Sequence, residues 1–388
     1  MYVNVEFLGD EPLENVITGM HFRMDKTIYF GYPDMLEKHK FNTDKFLRKN
    51  CGVESTEFHA LSRWDLQSVL EQMRSVLQAE YDAGNKVFFD ITGGESLVLV
   101  AFGILSKEFE TPMHMYDVVR DKLIELDEGA EASISRMVPR QTVKMDLDKL
   151  VQLRGGVINY SRHKDIKNIA DENFAMEVKK LWQIVARYGL DWNAFSDFIK
   201  EHCQPKNSLS FAAKSDLIEK ALKENKNKRM QDEKKFYEML HACEKVGAIL
   251  DLERRNGWYR FRYKNETIKG WLCDPGTILE LYVYLQEREH ADDCRIGINL
   301  DWDGVIHQKS NDDVFNELDV LVLHGNIPTF ISCKNGNVDK MSLYELGIIA
   351  EQFGGKYAKL VIAAPQGLYG SHALRAEEMQ IEVMKFES

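Results

Sequence analysis

The sequence predicts an α/β protein in three parts, and three observations carry that expectation. Strand and helix signals alternate over the first part, as in a doubly wound parallel sheet. Helical periodicity then takes over and ends in a charged hairpin. The last part runs helix, three strands, helix, strand. The chain has 388 residues, and single cores stop growing at roughly 250–300 residues. Residues 1–140, 141–268 and 269–388 are the expected divisions.

In the first part, Val3–Leu8 reads as a strand, followed by a helix from Pro12. Thr27–Gly31 is a second strand and Pro33–Lys49 a helix. Glu57–Ala60 is a third strand before an amphipathic helix from Trp64 to Ala83. Lys86–Asp90 reads as a buried strand, Gly94–Phe109 as an apolar helix and Met113–Tyr116 as a fifth strand. In such a sheet ligands lie beyond the C-terminal strand ends, here Gly9-Asp10 and Asp90-Ile-Thr-Gly-Gly-Glu-Ser96. Two glycines between strand and helix let backbone N–H groups converge on a phosphate. The plain alternative is a tight strand–helix turn. Leu97–Leu105 is the longest strongly apolar run. It is about half the roughly 20 residues of a membrane span and is expected to be a buried helix.

In the middle part, helical periodicity holds from Asp146 to Glu201, and Lys234–Lys245 is a further helix. Ala248–Glu253 and Trp258–Tyr263 flank Arg255-Asn256-Gly257, a hairpin signal, and together they look like a winged helix. Residues 206–264 hold 15 Lys or Arg and 9 Asp or Glu, whereas the whole chain carries a net charge of −12. An acidic chain repels nucleic acid over most of its surface, so any contact is expected on this basic segment. A solvated charged face is the other reading.

In the last part, Pro275-Gly276-Thr277 opens a helix through Glu287, with Thr277 as its expected cap. Arg295–Leu300, Glu317–Leu323 and Pro328–Cys333 read as strands, the last two joined at His324-Gly325-Asn326. Lys340–Phe353 is a helix closed by Gly354-Gly355, and Leu360–Ala364 is the final strand. Asp319 lies in one arm of the hairpin and Lys334 ends the other. Side chains alternate along a strand, so Ser332 and Lys334 share a side. Cys333 points away, with its backbone carbonyl still available to a metal. A carboxylate that holds a divalent metal, with an ammonium nearby, is what phosphodiester hydrolysis requires. An ordinary hairpin ending in a solvated lysine is the plain alternative. Asp301-Trp-Asp303-Gly304 is expected to be a turn, and the single histidines His307, His324 and His372 to lie in loops.

Asp319…Ser332-Cys-Lys334, within that element order, resembles the PD-(D/E)xK nucleases. The resemblance implies a restriction-endonuclease-like C-terminal domain with a helix Glu, here Glu280, completing a site for Mn²⁺ or Mg²⁺. Ser332 stands where that family usually has an acid. The first part resembles the CARF (CRISPR-associated Rossmann fold) sensors, in which a Thr-Gly-Gly loop and the loop after the first strand hold a cyclic oligoadenylate. That implies a Rossmann-like sensor domain whose ligand contacts are Gly9, Asp10, Glu11, Thr92, Gly93, Gly94, Glu95 and Ser96. The whole layout resembles CARF nucleases of type III CRISPR defence. It implies activation by cyclic tetra-adenylate and cleavage of DNA or RNA by a homodimer. A two-fold symmetric ring, half covered by one strand-end loop, independently suits a C2 dimer. A nucleotide-sensing regulator that binds DNA through its winged helix, with an inactive nuclease domain, is the rival expectation.

Six scattered cysteines with no CxxC pair argue against a zinc ribbon or a disulfide framework and for reduced cytoplasmic thiols. The N-terminus lacks a basic stretch followed by an apolar one. A cytoplasmic protein with no membrane partner is therefore expected.

Overall fold

The structure is a computed structural model that describes residues 1–126, 137–160, 172–306 and 314–386. The first part runs β1 (Tyr2–Phe7), α1 (Ile17–His21), β2 (Lys26–Gly31), α2 (Pro33–Phe46), β3 (Ser55–Ala60), α3 (Leu66–Asp82), β4 (Lys86–Asp90), α4 (Ser96–Phe109), β5 (Met113–Asp117) and β6 (Lys122–Glu125). Its strands pair in the order β3-β2-β1-β4-β5-β6, parallel except for the last step. The strand order reverses between β1 and β4, which opens a crevice at their C-terminal ends. This is the Rossmann-like sheet the alternation predicts. α4 buries Val98, Ala101, Phe102 and Leu105 but leaves Val100 and Ile104 exposed, so the helix expected to be buried covers the sheet with one face only.

The middle part runs α5 (Leu147–Leu153), β7 (Val157–Asn159), α6 (Glu172–Tyr188), α7 (Leu190–His202), β8 (Ser210–Lys214), α8 (Ser215–Glu224), α9 (Glu233–Lys245), β9 (Ile249–Arg255), β10 (Trp258–Tyr263) and α10 (Glu266–Leu272). Part of the run read as helical, residues 161–171, lies outside the described residues. Within that run β7 is a strand, because Gly155-Gly156 breaks the helix and lets the chain close on another strand: a Cβ on Gly156 would sit 2.5 Å from the Asp301 carbonyl oxygen. The hairpin β9–β10 turns where expected, with Asn256 and Gly257 both at positive φ (+53° and +72°), as a two-residue I′ turn demands. β8 adds to it in the order β8-β10-β9. One core takes Phe198, Phe211, Leu222, Phe236 and Phe261 from α7, β8, α8, α9 and β10.

The last part runs α11 (Thr277–Glu287), β11 (Asp293–Asp301), β12 (Phe315–His324), β13 (Ile327–Cys333), α12 (Lys340–Gly354), β14 (Lys359–Ala363), α13 (Ser371–Glu378) and β15 (Ile381–Met384). Its mixed sheet has the order β15-β14-β13-β12-β11-β7. Thr277 is not the cap of α11. Gly276 holds that position with no side-chain cap, and Asp274 Oδ1 accepts the Gly276 N–H at 3.2 Å instead.

Three cores separate these layers. Val3, Val5 and Phe89 pack with α3 and α4 on one face of the first sheet. Tyr29 and Phe88 on its other face share a core with α1, α5, α12 and Leu321, Leu323 and Phe330 of the third sheet. Val320, Val322 and Ile331 face α11, α6 and the middle part. Among the described residues, no helix is long and apolar enough to cross a membrane.

Candidate active site and ligand cleft

Asp319 sits where β11 and β12 lose regular pairing. The ladder passes from Ile296↔Val320 to Ile298↔Leu318, leaving Asp319 level with Gly297, whose φ of +55° suits glycine. The break shifts the strand's faces: Leu318 and Leu321 enter one core, Val320 and Val322 the other. Asp319 is thereby held against β13. Its Oδ2 accepts the Cys333 N–H at 2.7 Å and lies 3.3 Å from the Ser332 hydroxyl. Glu280 is buried in the first turn of α11. Burial pushes the Asp319 carboxyl up to about 6. The Glu280 charge adds to the rise, while the Cys333 N–H and the Lys334 ammonium oppose it. Glu280, Asp319, Ser332, Cys333 and Lys334 therefore stand in one electrostatic neighbourhood. The Cys333 thiol is pushed well up by burial and by both carboxylates, so it is neutral and a poor metal ligand.

Two further residues were not legible in the sequence. Asn193 of α7 donates to the Asn335 carbonyl at 2.9 Å, and the Asn335 amide donates back to Asn193 Oδ1 at 2.8 Å. The residue after Lys334 is thus clamped to the middle part. Among the described residues, no group of three or more His, Cys, Asp or Glu side chains is arranged to hold a metal. The site offers two carboxylates and a carbonyl. That set fits a hard, hydrated cation such as Mg²⁺ or Mn²⁺, which needs only one or two protein carboxylates and keeps its waters. Burial first and the Glu280 charge second raise the Asp319 carboxyl, and a cation there would offset both.

The second site lies at the ends of β1 and β4. Asn15 clamps the first loop, accepting the Gly9 N–H and donating to the Gly9 carbonyl, each at 3.0 Å. Buried Asp90 accepts the Thr92 N–H at 2.8 Å, and the Thr92 hydroxyl accepts the Tyr116 N–H at 2.8 Å. Burial works against the Asp90 charge, but His114, Thr18 and Thr92 outweigh it and hold the carboxyl low. Thr92 thus spends its hydroxyl inside the turn, whereas Gly94, Glu95 and Ser96 are exposed. Asp10 is exposed and meets Lys38 at 2.7 Å and His39 Nε2 at 2.9 Å. Glu11 turns inward, where it is buried against Arg154 and accepts the Lys356 N–H at 3.2 Å. A cleft of about 840 Å³ opens between Gly9–Asp10, Gly94–Glu95, Lys38 and His39 of α2, and Ile348 of α12. Lys38 and His39 follow the second strand, and nothing in their local sequence marks them.

Solved structures share this fold. Protein VC1899 from Vibrio cholerae superposes with a TM-score of 0.72 and 15% identity, over 99% of this chain and 94% of its own. Can2 from Sulfobacillus thermosulfidooxidans, in complex with cyclic tetra-adenylate, does so with a TM-score of 0.65 and 16% identity, over 99% and 95%. A type III CRISPR defence DNA nuclease activated by cyclic oligoadenylate overlaps 93% of this chain and 45% of its own, with a TM-score of 0.47 and 16% identity. At these identities the likeness is one of fold. No protein-family model and no curated protein sequence matches the chain.

Five cations of the basic segment are paired within the molecule. Arg254 pairs with Glu233, Arg262 with Asp251, Lys264 with Glu177, and Arg229 and Lys235 with Asp191. Arg260 stacks over Trp258 at 5.5 Å. The Asp301–Gly304 segment is the expected turn, with Asp301 Oδ1 accepting the Gly304 N–H at 2.8 Å. His307 lies outside the described residues.

Proposed function

We propose that this chain is a divalent-metal nuclease activated by cyclic tetra-adenylate. It works as a homodimer on DNA or RNA in type III CRISPR antiviral defence. The buried carboxylate pair carries this reading. A merely structural hairpin has no use for Asp319 lifted to about 6 by burial and the Glu280 charge. Functional sites are where such mutual perturbation is retained.

Asp319 and Glu280, with the Cys333 carbonyl, would hold Mn²⁺ or Mg²⁺. When bound, the ion activates water and neutralises phosphate charge. The Cys333 N–H and the Ser332 hydroxyl fix the orientation of Asp319. Lys334 sets its ammonium beside the scissile phosphate and stabilises the charge that develops there. Ser332, where an acid is usual, supplies orientation and no charge, so the site works with one negative group fewer.

On the sensor side, the Gly93 and Gly94 N–H groups at the start of α4 offer a phosphate site. Gly9, Asp10, Glu95 and Ser96 line the rest of the loops. Lys38 adds positive charge to the cleft, while burial lowers the His39 pKa and leaves its ring a neutral hydrogen-bonding group. Thr92 and Glu11 shape the loops from within. Two copies around a C2 axis would enclose a two-fold symmetric ring. The shared fold with Can2 supports the choice of cyclic tetra-adenylate. The pairing of Arg254 with Glu233 of α9 and of Arg262 with Asp251 weighs against the DNA-binding regulator. The test is incubation with cyclic tetra-adenylate and Mn²⁺, using supercoiled plasmid, single-stranded DNA and RNA side by side. Ligand-dependent cleavage is expected, and no cleavage of any substrate would overturn the reading.

A further inference from the structure

The loop after β1 is bonded directly to the sheet that carries Asp319 and Lys334. Glu11 and Arg154 form a buried ion pair, each side chain less than a tenth exposed. Glu11 also accepts the Lys356 N–H at 3.2 Å, and Arg154 donates to the Gly354 carbonyl at 3.1 Å. One helical turn on, Glu14 accepts the Tyr357 hydroxyl at 2.6 Å and pairs with Lys356 Nζ at 2.5 Å. The second loop bears on the same carboxylate, because a Cβ on Gly93 would lie 3.1 Å from Glu14 Oε2. The first loop therefore meets the Gly354–Tyr357 turn, which ends α12, and the second bears on it through Glu14.

That turn leans on the candidate catalytic strand. A Cβ on Gly354 would come within 2.5 Å of the Phe330 ring, and one on Gly355 (φ +61°) would collide with Arg154 and Glu11. Phe330 precedes Ser332 and Lys334 on β13. The contact path runs from loop to carboxylate, turn, ring and strand.

We propose that Glu11 and Glu14 are positioning residues that sense occupancy of the Gly9–Glu11 and Thr92–Ser96 loops. They pass it through the Gly354–Tyr357 turn and Phe330 to Ser332 and Lys334. The proposal rests on the reading of the two sites given above. Its physical basis is that buried, directional contacts tolerate few geometries, so a shift of the loop must either carry the turn with it or break them. Coupling between sites through such packed contacts amounts to about 5–150-fold.

The experiment uses the full-length protein and cyclic tetra-adenylate. Glu14→Lys, Lys356→Glu, the double swap and Tyr357→Phe are compared with wild type. Ligand affinity is measured by direct titration, and the ratio of cleavage with and without saturating ligand by substrate turnover. Each single charge reversal is expected to lower that ratio about tenfold. The double swap should restore most of it, and Tyr357→Phe should show a smaller loss. In wild type, ligand should change hydrogen exchange at 354–357 and 330–334. A structural tie alone would lower stability in every variant and give no rescue of the ratio. The proposal is overturned if the single variants are stimulated like wild type, if the swap rescues nothing, or if exchange at 354–357 ignores the ligand. Failure of wild type itself to bind or respond would instead overturn the functional reading, and the relay with it.

Discussion

Replacing Asp319 by Asn should stabilise the metal-free protein at alkaline pH while abolishing cleavage. The Asp319 carboxyl is raised from 3.8 to about 6 by burial and by Glu280. At 1.36 kcal/mol per pH unit, that difference is about 3 kcal/mol. The unfolded chain releases this proton at lower pH than the folded one. The folded state therefore has its full contribution below pH 4 and loses it as pH rises through 6. The substituted amide would carry no charge, yet its carbonyl oxygen could still accept the Cys333 N–H. Urea unfolding in EDTA at pH 5 and pH 8 measures the effect. Wild type should lose about 1.4 kcal/mol between these values beyond any loss in the variant, the rest having gone between pH 4 and pH 5. Adding Mn²⁺ at 100 times its dissociation constant should return about 2.7 kcal/mol to wild type and leave the variant unmoved. Equal pH dependence of the two proteins, or a variant that Mn²⁺ still stabilises, would refute the argument from the raised Asp319 carboxyl.

Three further outcomes are expected. Lys334→Ala should remove cleavage at every ligand concentration while the protein still binds ligand by titration, because the lysine lies outside the ligand cleft. Gly355→Ala should cost about 1–3 kcal/mol or more in thermal unfolding, because the backbone at φ +61° strains any side chain and the new Cβ meets Arg154 and Glu11. Asp90→Ala should cost about 3–5 kcal/mol, since it strands buried His114 and the Thr92 N–H, and it should weaken ligand binding by loosening the Thr92–Ser96 loop.

Much of the fold was legible because its elements follow local periodicity. Lys86–Asp90 is an apolar strand in any context, and Asn256-Gly257 suits the left-handed turn at which it occurs. Asp319 was legible as a charge in an otherwise apolar strand. The three residues of β7 were not, because nothing local marks them and only pairing with Asn299–Asp301 makes them a strand. β8 is similar: Ser210–Lys214 becomes a strand by pairing with β10. In the two strand-end loops, position on the chain placed both segments at the cleft but not which side each residue faces. Glu11 and Thr92 look like their exposed neighbours in sequence, yet their polar atoms are committed inward. Lys38, His39 and Arg154 reach the cleft only through tertiary packing.

The arrangement of cores constrains how one site can govern the other. If the sensor sheet and the catalytic sheet each had a private core and a tether between them, ligand binding could swing one past the other at little cost, as at small polar domain interfaces. Here they share one. Tyr29 and Phe88 of the first sheet and Leu321, Leu323 and Phe330 of the third are buried in the same apolar cluster, together with α5 from the middle part. Interiors are close-packed, so shared side chains cannot slide freely; they shift between discrete packings or stay put. A ligand-driven change must therefore be a repacking of that common layer. The ring at its catalytic edge is Phe330, pressed against Gly354 and two residues from Ser332. Any displacement of α12 relative to β13 large enough to matter would reach Lys334 through that contact, so under the proposed function the two strand-end loops would have a short mechanical route to Lys334 within a single chain.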